Sequence, residues 1–219
     1  MANENVIKFH GSALWSKCVE PDYTYKPEGE FSIKVVISPE EFEKYNDSFT
    51  ADLEAYLEET IASLPAAKQK SARATIKIND WAAPDLDQNG DETGDYQVRC
   101  TRKSVFVSKK HNKEYPQRIA LFLGSPSAPL NATEIGNGST VVVAVIPRPY
   151  FIAASKAVGM SFQLQAVLVK KLVEVGTKEA GSIFDDEVDE GEFAKEEAPE
   201  PVSAEKAAKL RAEEKDEDF

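Results

Sequence analysis

The chain has 219 residues, 42% hydrophobic and 29% charged, enough for one large or two small domains, and its formal net charge of −12 would ordinarily argue against a nucleic-acid partner. The charge is uneven: residues 176–219 hold 16 Asp/Glu against 6 Lys/Arg, whereas the first 175 residues hold 22 against 20. That division reads as one nearly neutral domain, 1–175, and a disordered acidic tail, 176–219, whose carboxylates can mask basic residues in the domain, so the overall charge excludes less than it suggests.

Met1 to Phe9 shows no apolar run behind a basic start, and no stretch approaches the ~18 apolar residues that span a bilayer, so the expectation is an unexported protein with no membrane partner. Val6–His10 and Ala13–Cys18 predict a first strand broken around Gly11. After turn-rich residues that include Pro21, Pro27 and Gly29, Phe31 to Ile37 alternates apolar and polar and is a strand. Ser38-Pro39-Glu40-Glu41 then opens a helix, with Ser38 as cap and Pro39 in the first turn. Its apolar positions Phe42, Tyr45, Phe49, Leu53, Tyr56, Leu57, Ile61 and Leu64 recur every three or four residues, and Pro65 stops it.

Ala66 to Arg73 reads as a basic solvated connector, and Ala74 to Ile78 as strand-like. Asp85-Leu86-Asp87-Gln88-Asn89-Gly90-Asp91 matches the opening of an EF-hand calcium loop, but position twelve is Tyr96 in place of glutamate and no helix pattern flanks it. Asn89-Gly90 makes a polar hairpin loop the better reading. From Tyr96 to Leu123 a hairpin carries seven Lys/Arg, namely Arg99, Arg102, Lys103, Lys109, Lys110, Lys113 and Arg118, interleaved with Tyr96 and Phe106. Such a density of cations in an acidic chain points to nucleic acid. Thr140 to Ile146 is apolar on both faces and therefore central, breaking at Pro147-Arg148-Pro149-Tyr150-Phe151. Met160 to Val169 alternates as the last strand.

No phosphate-cradling loop, paired histidines or nucleophile elbow occurs, so an enzyme is not expected, nor a cofactor. His10, Cys18, Cys100 and His111 lack the close spacing of zinc ligands, so no metal site is expected, and the two cysteines read as reduced and structural. A mainly β fold with one amphipathic helix inserted after the second strand is compatible with an OB-type Greek-key barrel.

Three local features occur together: the Pro21-Asp22-Tyr23 turn before the Phe31 strand, the Gly138 to Val173 block with its Pro149-Tyr150 corner and Ala157-Val158-Gly159, and the Asp218-Phe219 ending. In these the chain resembles the single-stranded-DNA-binding proteins of short-tailed, T7-like bacteriophages. The resemblance implies a five-stranded OB-fold that coats single-stranded DNA in replication, recombination, repair and annealing, in the cytoplasm of the infected bacterial host. It also implies an acidic tail that docks onto a DNA polymerase and a helicase-primase, competes with DNA and supports a homodimer. Tyr150 matches the family's stacking tyrosine, while Phe151 stands where the family pattern has a lysine.

A strand-binding protein that ignores sequence needs cations along the phosphates and flat rings for the bases. The candidate rings are Tyr150 and Phe151, with Trp81 and Phe106 behind them, and the candidate phosphate track is Arg99, Arg102, Lys103, Lys109, Lys110 and Arg148. The candidate partner-binding tail is Glu213, Glu214, Asp216, Glu217, Asp218 and Phe219. The rival reading is an acidic-tailed adaptor or DNA-mimic inhibitor of a host protein, against which the basic hairpin argues.

Overall fold

Alternation in the sequence decides which side of each strand faces inward, and the computed structural model, which describes residues 5–108, 110–111, 113–131 and 134–173, shows how those faces close on one another. In chain order the elements are β1 (Ile7–Asp22), β2 (Glu30–Ile37), α1 (Pro39–Ala62), α2 (Ala66–Thr75), β3 (Lys77–Ile78), β4 (Ala83–Leu86), β5 (Glu92–Lys103), β6 (Val105–Ser108), β7 (Lys113–Pro116), β8 (Ala120–Leu123), β9 (Thr140–Ile152) and β10 (Ala157–Lys171). Five of the strands form a closed ring, β1-β2-β5-β10-β9 and back to β1. All contacts around it are antiparallel except β5 with β10, where Cys100 lies beside Phe162 in parallel. This is the OB-type barrel that the sequence leads one to expect.

Phe31, Ile33, Val35 and Ile37 of β2 and Val141, Val143 and Val145 of β9 fill the interior with Phe9, Val98 and Leu164. The end of the barrel is closed by α1. Ser38 caps it as expected, its hydroxyl accepting from the Glu41 N–H at 3.3 Å. Phe49 and Leu53 of α1 press into the core, and Phe42 stacks on Trp81 at 4.7 Å, which in turn lies parallel to Phe9 at 6.1 Å.

Several local expectations are corrected. The first strand is continuous through Gly11, where an added Cβ would sit 2.0 Å from the Val36 carbonyl oxygen, so the glycine permits close strand approach and makes no break. The irregularity comes later, as a bulge between Leu14 and Lys17 with Trp15 at φ 49°. Residues 66–75 are a helix, because Ala, Lys, Gln and Arg favour it and Ala72 finds a buried seat; the strand after it shrinks to Lys77–Ile78 beside β10. The basic hairpin is β6 with β7, while β8 pairs in parallel with β10.

The strand at Thr140 does not break at Pro147. It continues to Ile152 along β10, with Pro147 opposite Phe162 and Pro149 opposite Met160. The last residue of β9 paired with β1 is Val145, so among the described residues both prolines lie where β9 pairs with β10 alone, and a missing N–H on the other side costs no ladder bond. At Asp85–Asp91 the structure has a hairpin turn between β4 and β5, with Gly90 at φ 88°. Among the described residues, no three His, Cys, Asp or Glu gather as a metal site, and no helix is long and apolar enough to cross a membrane. The tail from 176, including Glu213, Glu214, Asp216, Glu217, Asp218 and Phe219, lies outside the described residues, as does Lys109.

Candidate nucleic-acid interface

The outer face of the barrel is set by the residues that alternate with the core. On β5 the buried Val98 and Cys100 leave Gln97, Arg99, Thr101 and Lys103 pointing outward. Register then carries the row sideways. Arg99 is opposite Lys34 of β2, and Gln163 of β10 lies beside Thr101, which puts Ser161 next to Arg99; Ser161 is opposite Arg148 of β9. Three cations, Lys34, Arg99 and Arg148, thus lie on one row across four strands. Neighbouring strands are separated by about 4.8 Å, so the row spans roughly 15 Å.

The cations sit among polar and acidic neighbours. Arg99 pairs with Glu30 at 3.6 Å, a carboxylate that Lys26 also contacts, and Lys34 Nζ donates to Gln97 Oε1 at 3.2 Å. Arg148 is exposed, and its carbonyl accepts from the Ser161 hydroxyl at 2.9 Å. The Arg99 side chain is 67% exposed although Glu30 is only 13% exposed, so a phosphate can approach the guanidinium from the solvent side.

Aromatic residues stand at both ends of this face. At one end the half-exposed ring of Tyr150 lies across Gly159, close enough that an added Cβ would come within 2.6 Å of its hydroxyl. At the other end β5 meets the β1–β2 loop through Ser104, whose N–H donates to the Gly29 carbonyl at 3.1 Å and whose hydroxyl donates to the Glu28 carbonyl. There Tyr23 and Tyr25 are exposed, and Phe106 and Tyr115 face each other across the β6–β7 hairpin. From Gln97 to Lys103 the face runs roughly 20 Å along the strand.

The candidates from sequence divide accordingly. Tyr150, Arg148 and Arg99 lie on the face, and Lys103 lies at its hairpin end, 3.4 Å from Glu28. Phe106, 53% exposed, and Lys110 belong to the projecting hairpin. Three candidates are corrected. Trp81 is only 7% exposed and is clamped by Phe42, Phe9 and Phe49, its indole N–H donating to Asn46 at 3.1 Å, so it is core and offers no face to a base. Phe151 points to the opposite side of β9 from Tyr150 and packs against the core. Arg102 is a strut: its guanidinium donates to Gln117 at 2.8 Å and to Gln165 at 3.1 Å, tying β5 to β10.

Sequence reasoning passes over Lys34, Tyr25, Tyr115 and Trp15. The alternation of β2 already places Lys34 outward; what is missing from the sequence is its register against Arg99. Trp15 is 68% exposed on a left-handed bulge position that glycine usually takes, with its N–H donating to Asn137 at 2.8 Å, and no sequence pattern announces it. Cys18 and Cys100 are buried free thiols, as expected; burial pushes Cys18 up to about 11 and Cys100 higher still, so both stay protonated.

No family model matches the chain, and no curated protein matches it. Among solved structures it is similar to gp2.5, a single-stranded DNA-binding protein encoded by bacteriophage T7, at 20% identity and a TM-score of 0.57, over 87% of this chain and 98% of that one. It is also similar to the single-stranded DNA-binding protein of bacteriophage Enc34 in complex with single-stranded DNA, at 13% identity and a TM-score of 0.51, over 80% of this chain and 91% of that one. A C-terminal truncation of the Enc34 protein matches at the same identity and TM-score over 78% and 88% of the two chains. These likenesses establish the barrel fold.

Proposed function

We propose that the protein binds single-stranded DNA without regard to sequence and coats it during phage DNA replication, recombination and repair, in the cytoplasm of an infected bacterium. The observation that carries the reading is the row of Lys34, Arg99 and Arg148 across β2, β5, β10 and β9, with a tyrosine ring at one end and exposed aromatics at the other. Cations spaced by strands track a backbone, and rings accept bases of any identity, with stacking worth about 1–3 kcal/mol per base. Both neighbours that share the barrel are phage single-stranded DNA-binding proteins. No catalytic step belongs to this reading.

The acidic segment 176–219 is assigned a regulatory part: its carboxylates compete with DNA for the basic face, and DNA displaces them so that they can recruit a DNA polymerase and helicase-primase. The charge of the segment supports this, 16 Asp/Glu against 6 Lys/Arg tethered to a domain with a basic face. Gel-shift titration over a salt series tests both parts. Single-stranded oligonucleotide should bind more tightly than duplex, weakening by about 0.7 log unit per contacted phosphate for each tenfold rise in salt. Removal of residues 176–219 should tighten binding at low salt. Equal affinity for duplex would sink the first part, and an unchanged affinity on truncation the second.

A further inference from the structure

The charge of the folded domain is sorted along β5. Between Asn79 and Gln97 there are six carboxylates, Asp80, Asp85, Asp87, Asp91, Glu92 and Asp95, and no Lys or Arg. From Arg99 onward the outward positions turn basic, so that Asp95, Gln97, Arg99, Thr101 and Lys103 form one row running from negative to positive. The boundary is a single side chain. Gln97 Oε1 accepts from Lys34 Nζ at 3.2 Å, and Gln97 Nε2 donates to Asp85 Oδ1 at 2.7 Å, so a neutral amide joins the cation row to the acidic β4–β5 hairpin.

Two of these acids have structural work. Asp85 holds Gln97 and Thr93, and Asp87 accepts the N–H groups of Asn89 and Asp91 at 2.8 and 2.9 Å. Asp91, Glu92 and Asp95 use their backbones in the hairpin, and their carboxylates make no hydrogen bond or ion pair with the described residues. Their negative charge therefore serves no contact within the hairpin. It does lie next to a face lined with cations.

Resting on the single-stranded DNA reading, we propose that Asp91, Glu92 and Asp95 act as an electrostatic barrier that ends the phosphate track at Gln97. A polyanion moving along β5 from the β6–β7 end meets Lys103 and Arg99 and then, about 7 Å past Gln97, Asp95 at the start of the acidic hairpin, within one Debye length of ~8–10 Å at physiological salt. The open course is sideways along the cation row, over Ser161 to Arg148 and the Tyr150 ring. The barrier thus fixes the direction in which the strand leaves the barrel and the length of strand one protomer covers.

The test compares two triple variants of the full chain. Asp91→Asn/Glu92→Gln/Asp95→Asn removes the barrier; Asp52→Asn/Glu54→Gln/Glu59→Gln removes the same charge from exposed positions of α1. Affinity is measured for oligothymidylates of increasing length at low and high salt, with nuclease footprints on a longer strand. The hairpin variant should bind about three- to tenfold more tightly at low salt, reach its plateau at a longer oligonucleotide and protect more nucleotides, while the α1 variant keeps the wild-type plateau length. An unchanged plateau length in the hairpin variant, or an equal shift in both variants, would overturn the proposal. Absence of single-stranded DNA binding by the wild type would instead remove the reading beneath it.

Discussion

Gly159 is legible in the sequence only as part of a family-like tripeptide, yet in the structure it determines how Tyr150 sits. The atoms that an added Cβ would meet are the hydroxyl and ring carbons of Tyr150, the movable end of a side chain, at 2.6 to 3.2 Å. Gly159→Ala should therefore displace the ring while leaving the barrel stable. Single-stranded DNA affinity is expected to fall toward that of Tyr150→Ala, a loss of about 1–3 kcal/mol, with little change in melting temperature. A variant that melts early, or binds as wild type, would show that the ring is not a platform held by that glycine. Arg102 and Trp81 show the converse limit at this scale. Composition marked both as nucleic-acid residues, but a guanidinium beside Gln117 and Gln165 is a strut, and an indole between Phe42 and Phe9 is core. Side-chain destination depends on register and packing partners that lie 15 to 63 residues away in the case of Arg102.

Whole elements are legible in the sequence wherever a local period is strong. The N-cap and stripe of α1, the alternation of β2 and the apolar run from Thr140 to Ile146 each follow from neighbouring residues, and the structure places all three as expected. Elements defined by their surroundings are not: α2 has few apolar residues to reveal a face, and β9 carries its two prolines past Val145, beyond which the described residues pair it with β10 alone. The β4–β5 turn yields a prediction with a definite sign. Backbone N–H groups of Asp91 and Asn89 hold the Asp87 carboxyl below its ordinary value. A lowered folded-state pKa means that the ionised group stabilises the turn above the unfolded-state value and that this contribution is lost as pH falls through the folded one. The difference in melting temperature between wild type and Asp87→Ala should be flat above about pH 5 and shrink below about pH 4. A difference that persists unchanged in acid would mean that the carboxylate's charge plays no part.

At the scale of the whole molecule, the net charge conceals an ordered distribution. The α1 segment carries eight acidic residues and one basic, the β4–β5 region six and none, and the remainder of the domain is basic enough to bring the first 175 residues close to neutrality. The near-neutral total is a matter of composition; the fold shows that along β5 the acidic β4–β5 hairpin and the cations from Arg99 onward lie at opposite ends. Among the described residues β9 beyond Val145 pairs with β10 alone, at the very segment that presents Arg148 and Tyr150. Protomers brought side by side on one DNA strand would meet at high local concentration, the condition in which bare strand edges zip into a continuous sheet and coats become irreversible tangles. Pro147 and Pro149 remove the donors such pairing would need. On the proposed single-stranded DNA reading, the two prolines would keep neighbouring protomers from pairing along that edge. Pro147→Val/Pro149→Val should leave the isolated protein monodisperse at low concentration but turn its DNA-bound form salt-resistant and aggregated in sedimentation, whereas a variant that still dissociates cleanly from DNA in high salt would show that the prolines serve the corner's shape alone.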